Sequence, residues 1–291
     1  MVEVAAQKPK RRAKIFAAPW RDPAGRFSWF KSVTLIGAVL PTLFIVWQAQ
    51  AGRLGGRPVH HAMLETGFWA IRFLLLCLAV TPARSLFNWP RVVQVRRMLG
   101  LAAAFYTIAH IILYAGDEGW GLGFVLNQMF TVFYLILGTI ATVGFIALAV
   151  TSSDAAIMRL GRRWKLLHRL IFPIAVLSFW HFFLTQKVDV GIALVPAGLF
   201  AWLGLWRLLK PEWRRSWWVM FGLAVGCVVL TALVEAGWYG FHSGFNPRLV
   251  LAANFSTARL SPAVLVGIDL LLLLGVILLR RVMLARQGAR R

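Results

Sequence analysis

The sequence predicts an all-α membrane protein, a polytopic bundle of about eight transmembrane helices with both termini cytoplasmic. Three observations predict it. Hydrophobic residues make up 59% of the 291, charged residues only 14%, and mean hydropathy is +0.71, a balance outside that of an ordinary soluble domain. The apolar residues fall in long runs with no long polar segment between them, so lipid is the solvent of the bundle. The basic residues gather in alternate connections, as the positive-inside rule requires.

The runs follow in order. Residues 1–31 are a basic cytoplasmic arm carrying Lys8, Lys10, Arg11, Arg12, Lys14, Arg21, Arg26 and Lys31. The first apolar run, 32–50, contains Pro41. It ends near Ala49-Gln-Ala51, which resembles a signal-peptidase site, but the long arm before it favours a retained helix. Further spans are predicted at 63–80, 99–115, 124–150, 166–185, 190–209, 217–241 and 261–279. Each approaches or exceeds the ~17 to 20 residues that a tilted helix needs to cross a bilayer.

Charge orients the bundle. With the N-terminus cytoplasmic, the arm, the connections 81–98, 151–169 and 207–216, and the tail from Arg280 hold 26 of the 32 Lys and Arg. The other side keeps Arg53, Arg57, Lys187, Arg248 and Arg259 together with Asp117 and Glu118, and Arg72 lies inside a span. The net charge of +22 is therefore read as topology, and no nucleic-acid partner is expected. The 14 Trp and 21 Phe suit a lipid-facing surface with aromatic belts. Cys77 and Cys227 sit in apolar runs without a CxxC pair, which argues against an iron–sulfur site, a zinc site or a disulfide framework.

Histidine carries the chemistry. An ionisable residue inside a membrane span marks a functional site by default. His60 and His61 in the first outer connection, and His242 at an outer helix end, are read as solvated or capping side chains. His168 begins the fifth span at the cytoplasmic interface, and His181 follows 13 residues later, about 20 Å deeper at the helical rise. His110 lies 14 residues past Arg96 on the third span, about 21 Å from the same interface. His110 and His181 thus share an outer layer and suit axial ligation of a b-type heme. Fourteen residues return to within about 40° of one helix face, whereas 13 leave about 140°. Pro173, between His168 and His181, offers a kink or local rewinding of the fifth span that would bring both inward.

Three motifs carry a resemblance. Phe73-Leu-Leu-Leu-Cys-Leu-Ala-Val-Thr-Pro82, Arg96-Arg-Met-Leu-Gly-Leu101 leading to His110, and Leu160-Gly-Arg-Arg-Trp-Lys-Leu-Leu-His-Arg169 leading to His181 resemble the MsrQ (YedZ) family, a branch of the ferric-reductase-like transmembrane superfamily. The resemblance covers about residues 20–210. It implies a heme-binding electron-transfer subunit of the bacterial inner membrane, not the catalytic subunit of its system. Electrons would come from the quinone pool or a cytoplasmic flavin reductase. They would pass through one or two b-type hemes to a periplasmic molybdopterin-containing methionine-sulfoxide reductase that repairs oxidised envelope proteins. FMN is associated with the family.

The resemblance also brings departures. The superfamily pairs four histidines, and the fourth falls here at Arg96, as in MsrQ-type proteins. The inner site at His168 would then use Arg96, water or no second ligand. A guanidinium has no lone pair to give iron, so pairing with a heme propionate is the easier role for Arg96. The family's six helices would occupy 32–210, leaving 211–291 as an extension with two further spans. That extension carries Glu235 and Asp269, and Asp269 is expected to be buried and paired, with Arg72 as one candidate. Two alternatives stand beside this reading. One is a transmembrane ferric reductase acting on an external metal ion. The other is a polytopic permease with Asp269, Glu235 and the histidines along its route.

Overall fold

The computed structural model describes residues 18–22, 24–186, 189–256 and 260–288. Lys8, Lys10, Arg11, Arg12 and Lys14 of the basic arm, together with Lys187, Arg259, Arg290 and Arg291, lie outside the described residues. Among the described residues the regular structure is helical: α1 (Trp29–Gln50), α2 (Pro58–Leu86), α3 (Arg96–Asp117), α4 (Leu122–Thr131), α5 (Phe133–Val150), α6 (Asp154–Leu160), α7 (Arg162–Leu167), α8 (Ile171–Thr185), α9 (Gly191–Leu208), α10 (Trp217–Ser243), α11 (Pro247–Asn254) and α12 (Pro262–Gly288). Short 3-10 turns at Pro90–Val95, His168–Leu170 and Trp213–Arg215 complete the path. Eight segments among the described residues are long and apolar enough to cross a membrane, the number that the hydropathy predicts.

Two spans differ from the sequence reading. The run 124–150 is not one helix. α4 ends at Thr131, Val132 is extended, and α5 begins at Phe133. The Thr139 hydroxyl donates to the Leu135 carbonyl of its own helix at 2.8 Å and lies 3.3 Å from the Met129 carbonyl of α4 across the break. The 18 residues of α5 still reach about 27 Å at 1.5 Å per residue. The fifth span is likewise divided, and a 3-10 turn carrying His168 separates α7 from α8. Pro173 then falls in the first turn of α8, where its missing N–H leaves no helical bond unmade.

α2 lies at the centre, packing most extensively on α3 and also touching α1, α8 and α9. Phe73, Leu74, Tyr106, Phe179 and Trp202 are buried in one continuous core. Prolines inside the spans create local demands that side chains meet. Pro82 has no N–H for the Leu78 carbonyl one turn earlier, and the Arg207 guanidinium of α9 donates to that carbonyl and to Leu203. At the turn containing Pro41, the buried Tyr106 hydroxyl accepts from the Thr42 N–H at 3.0 Å and donates to the Ala38 carbonyl at 2.9 Å. These contacts tie α9 to α2 and α1 to α3.

The C-terminal helices pack as a second layer, with α10 against α9 and α12. Within it the buried Glu235 carboxylate accepts from Asn254 Nδ2 at 2.7 Å, and the Ser261 hydroxyl donates to the Asn254 carbonyl at 2.6 Å. The expected burial of Asp269 is not met. Asp269 lies on an exposed face of α12, and among the described residues no ion pair joins it to Arg72. That arginine is itself exposed and rests over the Trp69 ring of its own helix at 4.7 Å.

Candidate functional site

The bundle brings His110 of α3 and His181 of α8 face to face, with ring centroids 6.5 Å apart and planes at 79°. Each ring is held the same way. His110 Nδ1 lies 2.8 Å from the Met63 carbonyl, and His181 Nδ1 lies 2.7 Å from the Tyr134 carbonyl. A carbonyl can only accept, so Nδ1 carries the proton in both rings, and the neutral imidazole keeps its lone pair on Nε2. No hydrogen bond occupies either Nε2 among the described residues. Metal-binding histidines are commonly held this way, the ring nitrogen that does not face the metal donating to a carbonyl.

The two rings line a cavity of about 620 Å³ between α2, α3, α5 and α8. Its walls are mostly apolar, with Leu74 and Phe145 deep and the hydroxyls of Thr107, Thr142 and Ser178 along the sides. Its mouth is charged. Arg57 lies 3.1 Å from the Asp117 carboxylate, and His60 Nδ1 lies 2.7 Å from the same group. These contacts join the first turn of α2 to the last turn of α3. His60 therefore belongs to the cavity mouth and is not a merely solvated side chain.

His168 stands apart. Its Nε2 lies 3.2 Å from the Thr151 hydroxyl, and its ring stacks on Trp164 at 4.1 Å. The Trp164 indole N–H in turn donates to the Thr151 carbonyl at 2.9 Å. No second imidazole faces His168 among the described residues. Arg96, the first residue of α3, is exposed and does not line the cavity. Arg162, Arg163, Lys165 and Arg169 are exposed at the same end of the bundle. Neither Glu235 nor Asp269 reaches the cavity, so the polar route a permease would need is not assembled there. His242 stacks on Trp238 at 4.6 Å, away from the pair.

Sequence reasoning finds the paired histidines and misses what seats them. Met63 and Tyr134 act through backbone carbonyls, which have no residue signature. Gly67 and Gly138 lie against the two rings, and the signal available for them is a glycine inside an apolar span, where it lowers helix stability.

The site fits a heme. Two imidazoles bound to opposite faces of one metal ion, with metal–nitrogen bonds of about 2 Å, have centroids about 6 Å apart. Among the described residues no group of three or more His, Cys, Asp or Glu could hold a bare metal ion. A two-imidazole site instead suits an iron whose equatorial ligands come from a macrocycle. Arg57, paired with Asp117 at the mouth, is the one Lys or Arg among the described lining residues and could meet a carboxylate of such a group by exchanging that partner.

Comparison with known proteins agrees. The family model described as the ferric reductase like transmembrane component matches residues 66–179, a segment that contains His110 and His168 and ends two residues before His181. Three curated relatives carry the name protein-methionine-sulfoxide reductase heme-binding subunit MsrQ. The one from Deinococcus radiodurans is 36% identical over 64% of this chain and 92% of its own. That from Rhodospirillum rubrum is 36% identical over 67% and 92%, and that from Caulobacter vibrioides 35% identical over 60% and 84%. No solved structure matches the chain significantly. With the paired histidines in place and nearly the whole length of two relatives matched, this chain belongs to the MsrQ family of multi-pass membrane heme-binding subunits.

Proposed function

We propose that this chain is a heme b electron-transfer subunit of the bacterial inner membrane. It passes electrons from the quinone pool or a cytoplasmic flavin reductase to a periplasmic molybdopterin-containing methionine-sulfoxide reductase, the catalytic partner. One observation carries the reading: two half-buried imidazoles face each other at 6.5 Å, each with Nδ1 tied to a carbonyl and Nε2 free of hydrogen bonds among the described residues. The positive-inside asymmetry supports cytoplasmic termini, and with them a position of this pair in the periplasmic half, next to an external acceptor.

Heme supplies the one-electron chemistry of iron when bound. The protein's part is to hold and insulate. His110 and His181 would hold the group through their Nε2 lone pairs, and the Met63 and Tyr134 carbonyls fix the tautomer and orientation of the two rings. Arg57 and His60 are placed to receive carboxylates at the mouth, in exchange for Asp117. The apolar walls exclude water and lower the local dielectric. His168 marks a second, inner heme position with Arg96 as a propionate partner, a role that requires Thr151 to release Nε2. Residues 32–210 form the heme domain and 211–291 an extension that flanks it. FMN is carried over from the family alone.

Visible absorption of the purified chain after heme-replete expression tests the reading. A Soret band and a reduced alpha band are expected, and their absence would sink every heme assignment made here. Electron transfer to the partner is tested separately, by reoxidation of the reduced chain on adding the purified reductase with methionine sulfoxide. No acceleration over the chain alone would refute the partnership while leaving the heme site standing.

A further inference from the structure

Glycine in the middle of a helix is destabilising relative to alanine, so two of them facing the histidine rings call for a reason. A Cβ on Gly67 of α2 would lie 3.0 Å from His110 Nδ1 and 3.2 Å from Cε1. A Cβ on Gly138 of α5 would lie 2.9 Å from both Nδ1 and Cε1 of His181, and 3.3 Å from Cγ. Neither position can accept a methyl group unless the ring moves.

Each glycine sits one helical turn after the residue whose carbonyl holds the same ring, Met63 before Gly67 and Tyr134 before Gly138. Residues four apart share a helix face. The bare Cα of the later residue therefore lets the imidazole lie flat on the helix and reach the carbonyl of the earlier one. The two seats also repeat along the chain. In both, 47 residues separate the carbonyl from the histidine, and 43 separate the glycine from it, 67 to 110 and 138 to 181. The pairs α2–α3 and α5–α8 present one seat twice, facing across the cavity.

We propose that Gly67 and Gly138 are positioning residues that set the strength of the two Nδ1–H···O=C bonds, and through them the reduction potential of an iron bound by His110 and His181. The inference rests on the heme reading above. A strong bond from Nδ1–H makes the imidazole a more basic ligand and favours ferric over ferrous iron. A methyl group at either glycine pushes the ring off its carbonyl, weakens that bond and raises the potential of the one-electron couple. Because the seats match, the two substitutions act in the same direction.

The test uses the full heme-loaded chain with Gly67→Ala, Gly138→Ala and a control, Gly144→Ala. A Cβ on Gly144 would meet Ile174 at 2.6 Å in the same α5–α8 contact, with no histidine involved. The expected result is an upward shift of midpoint potential in both histidine-facing variants, with altered low-spin resonance g-values. The control should lose thermal stability while keeping the wild-type potential. Unshifted potentials in Gly67→Ala and Gly138→Ala, or an equal shift in Gly144→Ala, would overturn the proposal.

If the alanine variants lose heme, histidine-labelled apoprotein still decides the matter. The Nδ1 proton resonances should lie downfield in the wild type and move upfield in both variants, and unmoved resonances refute the seats. Failure of the heme reading is distinguishable, because it appears in the wild type as a missing Soret band while the apoprotein measurement remains possible.

Discussion

His110 and His181 on one side, and His168 on the other, are the same residue type in comparably apolar spans, yet their hydrogen bonds engage opposite nitrogens. The pair gives Nδ1 to backbone carbonyls and leaves Nε2 free. His168 has its Nε2 against the Thr151 hydroxyl. That hydroxyl already donates to the Ala147 carbonyl at 2.7 Å, so toward His168 it can only accept, and Nε2 carries the proton. Depth in the bundle does not make a histidine a ligand. The partner of its other nitrogen decides which lone pair is offered and in which direction.

The largest expected effect is a direct break of this contrast. His110→Ala and His181→Ala should each abolish the heme held between them, read as heme per protein and as loss of the bis-imidazole low-spin spectrum. His168→Ala should leave that spectrum largely intact. Equal loss from all three substitutions would refute the division into a pair and a lone histidine.

A second change asks what the other end of the bundle is made of. Arg207 there serves the Leu78 carbonyl that Pro82 cannot serve. Arg207→Leu should destabilise the protein by about 1–3 kcal/mol, the usual cost of leaving a buried acceptor unpaired. In a Pro82→Ala background the carbonyl regains a backbone donor, so the same substitution should cost clearly less. Thermal unfolding in detergent measures both. Additive losses would show that Arg207 acts through contacts other than this carbonyl, such as the Phe172 ring 5.6 Å away.

These contrasts mark what the sequence made legible. Hydrocarbon thickness imposes a length on every span, so eight apolar runs announce eight crossings. Depth counting from Arg96 and His168 puts His110 and His181 in one layer because rise per residue is nearly constant. The break at Val132 carries no proline or glycine, the residues that punctuate a helix in sequence, so the apolar run 124–150 reads as unbroken. The ring seats were equally hidden, since carbonyls leave no trace in residue identity and Gly67 and Gly138 are two among 25 glycines. Asp269 shows the opposite failure. A mid-span carboxylate reads as buried and paired, but its position on α12 turns it outward.

The smallest expected effect bears most closely on the lone histidine. Thr151→Val keeps the side-chain volume nearly constant and removes the hydroxyl beside His168 Nε2, leaving the Thr151 backbone carbonyl and its bond from Trp164 untouched. One such side-chain hydrogen bond within a membrane bundle is worth about 0.6 kcal/mol, so the unfolding midpoint should fall only slightly. Heme content is the more informative reading. If Thr151 competes with iron for His168, removing it leaves heme per protein at or above the wild-type value, with the spectrum of the His110–His181 pair unchanged. A fall in heme content would reverse the assignment. It would mean that Thr151 orients His168 for a metal, as the Met63 and Tyr134 carbonyls do for the pair, and the two regions would then differ in the donor that holds the ring and not in what the ring does.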